Sequence, residues 1–331
     1  MTVKRCRSEP VKSDAPAQHF EVFGMPVASR FALPELRTAG SIARGAPRSD
    51  HEPIEIDFGD LSGLSDPDAS NPLWQWTLHP SGDASFVHGR FGKICVEHMG
   101  RILVQPGEAG DGSEFRNAVL GLALPVALFQ RRQLLMHVSA VQTASGVWAF
   151  AGPSGAGKST AAYLLSRRAG CEFVEDDVLR FGLDGHNGQV VVRSGPSRLK
   201  LWSDLLGHVG ETTSGLSPDA TREGKFHLPR RLHQGVDQGL LKGIIFLKAR
   251  SNFSMVRISG ASQFAELARV VYRPELFRWT GSQENMLEIF ARVSATCHLY
   301  RATLSVGLGR LESDIDQIRA IVDDELPEGV I

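Results

Sequence analysis

Residues Gly152 to Ser159 read Gly-Pro-Ser-Gly-Ala-Gly-Lys-Ser, a complete G-x-x-x-x-G-K-[ST] pattern. An apolar run, Trp148-Ala149-Phe150-Ala151, leads in, and a helix-forming stretch from Lys158 to Arg168 leads out. Glycines placed between a strand and a helix let the backbone curl until several N–H groups face one anion. The helix N-terminus adds its positive dipole end. The pattern therefore predicts a phosphate-binding loop built from Gly152, Pro153, Ser154, Gly155, Ala156, Gly157, Lys158, Ser159 and Thr160. Lys158 brings a point charge to β- and γ-phosphates, and Ser159 a hydroxyl to Mg²⁺. Thr160 is chemically equivalent, but motif position favours Ser159. The implied ligand is ATP with Mg²⁺, and the implied chemistry is transfer of the γ-phosphate to a hydroxyl.

At 331 residues the chain exceeds one average domain and suits two. The first 19 residues are polar and read as a disordered tail. Strand candidates follow at Phe20–Ala28, Ile54–Phe58, Leu73–Leu78, Ala84–His88, Gly92–His98 and Arg101–Gln105. Gly, Pro, Ser and Asp turn signals separate the later ones. Together they predict a small antiparallel β-rich domain over residues 20–106. An acidic, Gly-rich link, Pro106–Gly112, leads to an α/β domain over 113–331. There, Phe115–Leu135 has helical spacing interrupted near Pro125. Strands are expected at His137–Gln142, Val147–Gly152, Cys171–Leu183, Gln189–Arg193 and, centrally, Leu240–Lys248. Three later helices are expected at Gln263–Tyr272, Gln283–Ala295 and Ser313–Val322.

The strand after the loop helix runs into three carboxylates, Glu175-Asp176-Asp177. A carboxylate beside a phosphate loop holds Mg²⁺ or its waters, and a second accepts the proton of an attacking hydroxyl. Neighbours on a strand point to opposite faces, so Asp176 and Asp177 are expected to do different jobs. A solvated acidic turn is the plainer alternative. His137 precedes the loop strand and reads equally as a packed histidine or as a group near the γ-phosphate.

His137, Gly152–Ser159 and Asp176-Asp177, in that order and at those intervals, resemble the catalytic domain of bacterial HPr kinase/phosphorylase and its diverged relatives, over residues 130–183. Phe23-Gly24-Met25-Pro26-Val27-Ala28-Ser29 with Leu33-Pro34-Glu35-Leu36, and the segment Ser194–Trp202, are similar to HPr-kinase-like proteins found beside peptide-modification genes. Those include kinases of lasso-peptide precursors. The resemblance implies a P-loop α/β fold of the HPr-kinase/PEP-carboxykinase kind. It gives Asp177 the role of proton acceptor, lines the site with His137 and makes Asp176 a metal support. The implied partner is a peptide or protein with a seryl hydroxyl, and a homo-oligomer is allowed. The family's second glycine-rich signature is not recognisable after Asp177, and for its late catalytic arginine Arg230 and Arg231 are candidates. A metabolite kinase and a non-catalytic nucleotide sensor or ATPase remain open beside the peptide kinase.

Other features narrow the class. A formal net charge of −1 gives no field aimed at nucleic acid or an anionic membrane. The longest apolar run, Val119–Phe129, contains Pro125 and is too short to span a bilayer. The four cysteines are scattered with no C-x-x-C pair, and the N-terminus has no apolar signal segment. These point to a soluble, cytoplasmic protein. Gly207–Lys225 reads as a lid, an acceptor loop or a surface connection. Lys225 and Arg222 read first as a solvated face, with reach to phosphate as the alternative. Arg198 and Lys200 are expected to share one face of a strand.

Overall fold

The computed structural model describes residues 16–36, 52–68, 71–98, 100–185, 187–196, 199–219, 222–228, 236–248 and 252–323. Most of the polar tail, residues 37–51, and Arg198, Arg230 and Arg231 lie outside the described residues. Two compact units emerge: one runs to Leu134 and takes in Arg273–Gln283, and the other spans Leu135–Tyr272 and continues from Glu284.

The first unit holds β1 (Gln18–Val22), β2 (Met25–Ser29), β3 (Ile54–Phe58), β4 (Gln75–Leu78), β5 (Ala84–His88), β6 (Gly92–Glu97) and β7 (Arg101–Pro106). They form one sheet in the order β1-β2-β3-β7-β6-β5-β4. The sheet is mixed rather than antiparallel, because β2–β3 and β3–β7 pair in parallel. Parallel pairing needs a long crossover. Between β3 and β7 the β4–β6 meander supplies it, and the turn signals alone do not show which strands return to the same edge.

Against this sheet lie a π-helical stretch (Val119–Ala123) and α2 (Leu124–Gln130), preceded by α1 (Ser113–Ala118). The helices expected at the start of the second domain thus cluster with the first unit. Their apolar faces explain it: Phe115, Val119, Leu124 and Leu128 are fully buried. The interruption is where Pro125 predicts it, since Pro125 has no N–H for the Gly121 carbonyl four residues back. Arg273 Nε donates to that carbonyl at 2.8 Å. Arg273 leads α6 (Pro274–Thr280) onto α2, where Phe277 meets Phe129 edge-to-face.

The second unit is α/β, as the sequence predicts. Its main sheet contains β8 (Leu134–Met136), β9 (Val138–Thr143), β10 (Gly146–Ala151), β11 (Glu172–Glu175), β12 (Leu179–Leu183), β13 (Val190–Ser194), β17 (Gln238–Leu247), β18 (Ser254–Arg257) and β19 (His298–Thr303). The path runs β11-β9-β10-β17-β13-β12-β8, with β19 on β17 and β18 on β19. β17 is central: it pairs with β10 along one edge, and with β13 then β19 along the other. From Gly243 to Leu247 it is buried on both faces, which its apolar residues anticipate. A smaller sheet, β14 (Leu199–Trp202), β16 (Lys225–Leu228) and β15 (Ser217–Pro218), stands apart.

The helices of this unit are α3 (Lys158–Ser166), α4 (Ser203–His208), α5 (Ala261–Arg269), α7 (Gln283–Thr296) and α8 (Leu308–Asp323). Ala161, Leu164 and Leu165 of α3, Leu311, Ile315 and Ile318 of α8, and Val141, Phe150, Ile245 and Tyr300 of the sheet share one core. Leu199 and Leu201 of β14 join it. No helix among the described residues is long and apolar enough to cross a membrane.

Candidate functional site

Strand register brings the sequence candidates to one end of the sheet. β10 ends at Ala151, which pairs with Val138 at the start of antiparallel β9. His137 immediately precedes that start. On the other side of β9, Ala140 pairs with Glu175 at the end of β11. His137, Gly152 and Asp176 therefore leave the sheet together, beyond the carboxyl ends of β10 and β17, where α/β sheets place their ligands.

The loop has the backbone its glycines predict. Gly152, Gly155 and Gly157 have φ of 139°, 83° and 99°. A Cβ at Gly152 would lie 2.4 Å from the Leu247 carbonyl oxygen at the end of β17, so the sheet itself demands glycine there. Gly155 faces open space and leaves room for a ligand against the backbone. Gly157 is the left-handed cap from which α3 starts at Lys158.

Lys158 is buried, and its Nζ donates to the carbonyls of Gly152 at 2.9 Å and Pro153 at 3.4 Å. No carboxylate among the described residues is within ion-pair distance of it. Burial pushes its ammonium below the usual lysine range. Asp177 and Asp176 oppose that shift, and Lys225 and Arg222 add to it. A cation held this way is relieved by an anion. The curled backbone, the buried cation and the open face at Gly155 fit a polyphosphate.

Asp176 is buried and thoroughly bonded. It accepts from Ser139 Oγ at 2.6 Å and, more weakly, from the Lys200 amide at 3.4 Å. The Ser159 hydroxyl lies near enough to favour its charged form. Burial, then the neighbouring Asp177 charge, pushes its carboxyl up, while Ser139, Ser159 and the Lys200 amide pull the other way. Thr160, the chemical equivalent of Ser159, is buried.

Asp177 is the opposite case. Its side chain is 62% exposed, and its Oδ1 lies 3.1 Å from His137 Nε2. Surrounding atoms push the Asp177 carboxyl up, but the His137 hydrogen bond and the charges of His137, Lys200 and Lys158 outweigh them and hold it below its usual value. The edge of Tyr272 packs on the His137 ring. The two aspartates do differ in surroundings, but strand alternation is not the reason. β11 ends at Glu175, and Asp177 has left-handed backbone, φ 82°. Asp177 thus lies in a turn, outside the alternation of the strand.

Sequence reasoning missed Ser139 and the Lys200 amide. Ser139 was findable, because it lies two residues past His137 and so on the same side of an extended segment. Nothing local marked Lys200, which arrives through the smaller sheet. The interrupted strand at 176–178 was read as continuous, since Cys171–Leu183 is apolar on both sides of the acids. Among the described residues no three His, Cys, Asp or Glu side chains converge as a metal site. Ser159 and Asp176 are the groups that could hold a Mg²⁺ taking its other oxygens from phosphate and water, as that ion commonly does.

No family model matches the chain, and no curated protein matches it. Among solved structures, the HPr(Ser) kinase/phosphatase from Coxiella burnetii is similar over 57% of this chain and 99% of its own, at 12% identity and a TM-score of 0.31. A superposition that loose gives no ground for transferring an activity.

Proposed function

We propose that this chain is an ATP-dependent kinase that, with Mg²⁺, transfers the γ-phosphate to a hydroxyl, the serine of a peptide or protein being the favoured acceptor. One observation carries the reading. A buried Lys158 on a glycine loop sits near two aspartates in contrasting environments, one buried on Ser139 and one exposed on His137. Pairs of carboxylates pushed apart in this way mark divided acid–base and metal duties.

In this reading the N–H groups of Ser154–Lys158 and the Lys158 ammonium hold the phosphates, and lose their present carbonyl contacts to do so. Mg²⁺, when bound at Ser159 and Asp176, neutralises charge on the β- and γ-phosphates. Asp177 orients the acceptor hydroxyl and takes its proton. His137 fixes the direction of the Asp177 carboxylate. The exposure of Asp177 favours an acceptor presented on a larger molecule, since sites for small metabolites enclose most of the ligand. An HPr-kinase-like fold for the second unit and a cytoplasmic setting belong to the same proposal.

The test is transfer from γ-labelled ATP with Mg²⁺ into a lysate of the native host, comparing wild type with Asp177→Asn. Label in a peptide or protein fraction, reduced about 10³-fold in the variant, is the expected result. Label confined to small molecules replaces the acceptor with a metabolite. Equal slow hydrolysis by both proteins, without transfer, sinks the kinase.

A further inference from the structure

The smaller sheet has two unlike faces. Leu199 and Leu201 of β14, with Phe226 and Leu228 of β16, pack into the core that α3 shares. Residues opposite each other across an antiparallel pair lie on one face. The register sets Lys200 against His227 and Trp202 against Lys225, so these four share the other face. Lys225 Nζ lies 5.4 Å from the centre of the Trp202 ring, and Lys200 Nζ is paired with Asp219 at 2.7 Å. The sheet is also joined to the site, because the Lys200 amide donates to Asp176.

Lys225 and Arg222 have no such partner. Neither forms an ion pair among the described residues. Lys225 is half-buried, and a turn in which its amide donates to the Arg222 carbonyl at 3.1 Å holds the two close in the chain. Both charges are felt at Lys158, and the Asp176 charge is felt at Lys225. A half-buried lysine beside other cations is costly to keep charged unless an anion comes to it.

We propose that Lys225, assisted by Arg222, is a second cationic arm that contacts the γ-phosphoryl group opposite Lys158. The inference rests on the nucleotide reading of the loop and adds the side from which the transferring group is held. Trp202 keeps the arm in place: its ring fixes the lysine stem and favours the charged head.

Calorimetric titration with MgATP and with MgADP separates the possibilities. The proteins are wild type, Lys225→Met, which keeps an apolar stem, Lys225→Arg, and Arg222→Gln in the exposed turn. Lys225→Met is expected to weaken MgATP about tenfold or more and to leave MgADP unchanged. Lys225→Arg should recover most of the loss, and Arg222→Gln should show a smaller loss with the same selectivity. Equal MgATP affinity in wild type and Lys225→Met overturns the arm and leaves the loop reading intact. So does an equal loss for both nucleotides, which would mean a structural role. If Lys225→Met does not fold, Arg222→Gln decides on the same criterion. A wild-type protein that binds neither nucleotide removes the loop reading and the arm together.

Discussion

Phe23 and Asp177 both carry a side chain on left-handed backbone, with φ of 56° and 82°. That conformation costs a non-glycine residue roughly 1 kcal/mol or somewhat more. Their surroundings differ completely. Phe23 forms with Gly24 the two-residue turn between β1 and β2, and both have positive φ, as a tight hairpin requires. Its ring is 2% exposed, and burying a phenylalanine is worth about 2–3 kcal/mol. Packing more than offsets the strain. Asp177 is largely exposed and is held by one hydrogen bond to a histidine that is itself 40% exposed. Strain that packing repays is architecture. Strain kept by two exposed polar side chains at a glycine loop has no structural return, and such sites are where function is sought.

Substituting glycine at both positions sharpens the contrast, because glycine removes the strain at each. Phe23→Gly should lower unfolding stability by about 3 kcal/mol, the loss of a buried aromatic less the strain relieved. Asp177→Gly should leave it within about 1 kcal/mol of wild type, because the strain relieved is set against the loss of a carboxylate held below its usual value, while transfer disappears. Urea midpoints measure both. A loss at Asp177 as large as that at Phe23 would break the comparison, and would mean that the His137 bond contributes to stability as packing does.

Asp176 tests the same idea by charge. Its carboxyl is raised, so protonated Asp176 favours the fold, and that contribution is present below the ordinary carboxylate range. It fades as pH rises through the raised value, so at neutral pH the buried carboxylate is a cost. Asp176→Asn should therefore gain about 1 kcal/mol at pH 7 with metal chelated, while losing activity. A thermal midpoint below wild type would mean that the bonds from Ser139 and the Lys200 amide already outweigh the burial.

Much of this contrast was legible beforehand. The loop, its helix and the adjacent acids are local, and a motif records them because chemistry fixes spacing within one turn. The central β17 was legible from its largely apolar run. What distance along the chain carries was not. The parallel return of β3 to β7, the packing of α1 and α2 with the first unit, and the approach of Lys200 to Asp176 depend on which surfaces meet. The left-handed turn at Asp177 escaped as well, because aspartate tolerates that backbone without requiring it. In the hairpin, Phe23-Gly24 lacks the Asn or Asp that usually announces such a turn.

Ser139→Ala has the smallest expected effect and the most specific one. If transfer requires ionised Asp176 beside Ser159, the acid limb of its pH profile follows Asp176, whose carboxyl is raised. It does not follow Asp177, whose carboxyl is lowered and stays ionised further into acid. Ser139 Oγ donates to Asp176 Oδ1, so it favours the charged form. Removing it leaves burial and the Asp177 charge with less opposition, and the limb in kcat/KM should move to higher pH while the alkaline side stays put. An unmoved limb would assign it to another group, and a shift to lower pH would contradict the hydrogen-bond direction. Asp177→Asn removes a negative neighbour from Asp176, so its residual activity should show the limb displaced towards acid. Opposite displacements from two neighbours of one carboxylate are difficult to produce by any route other than through that carboxylate.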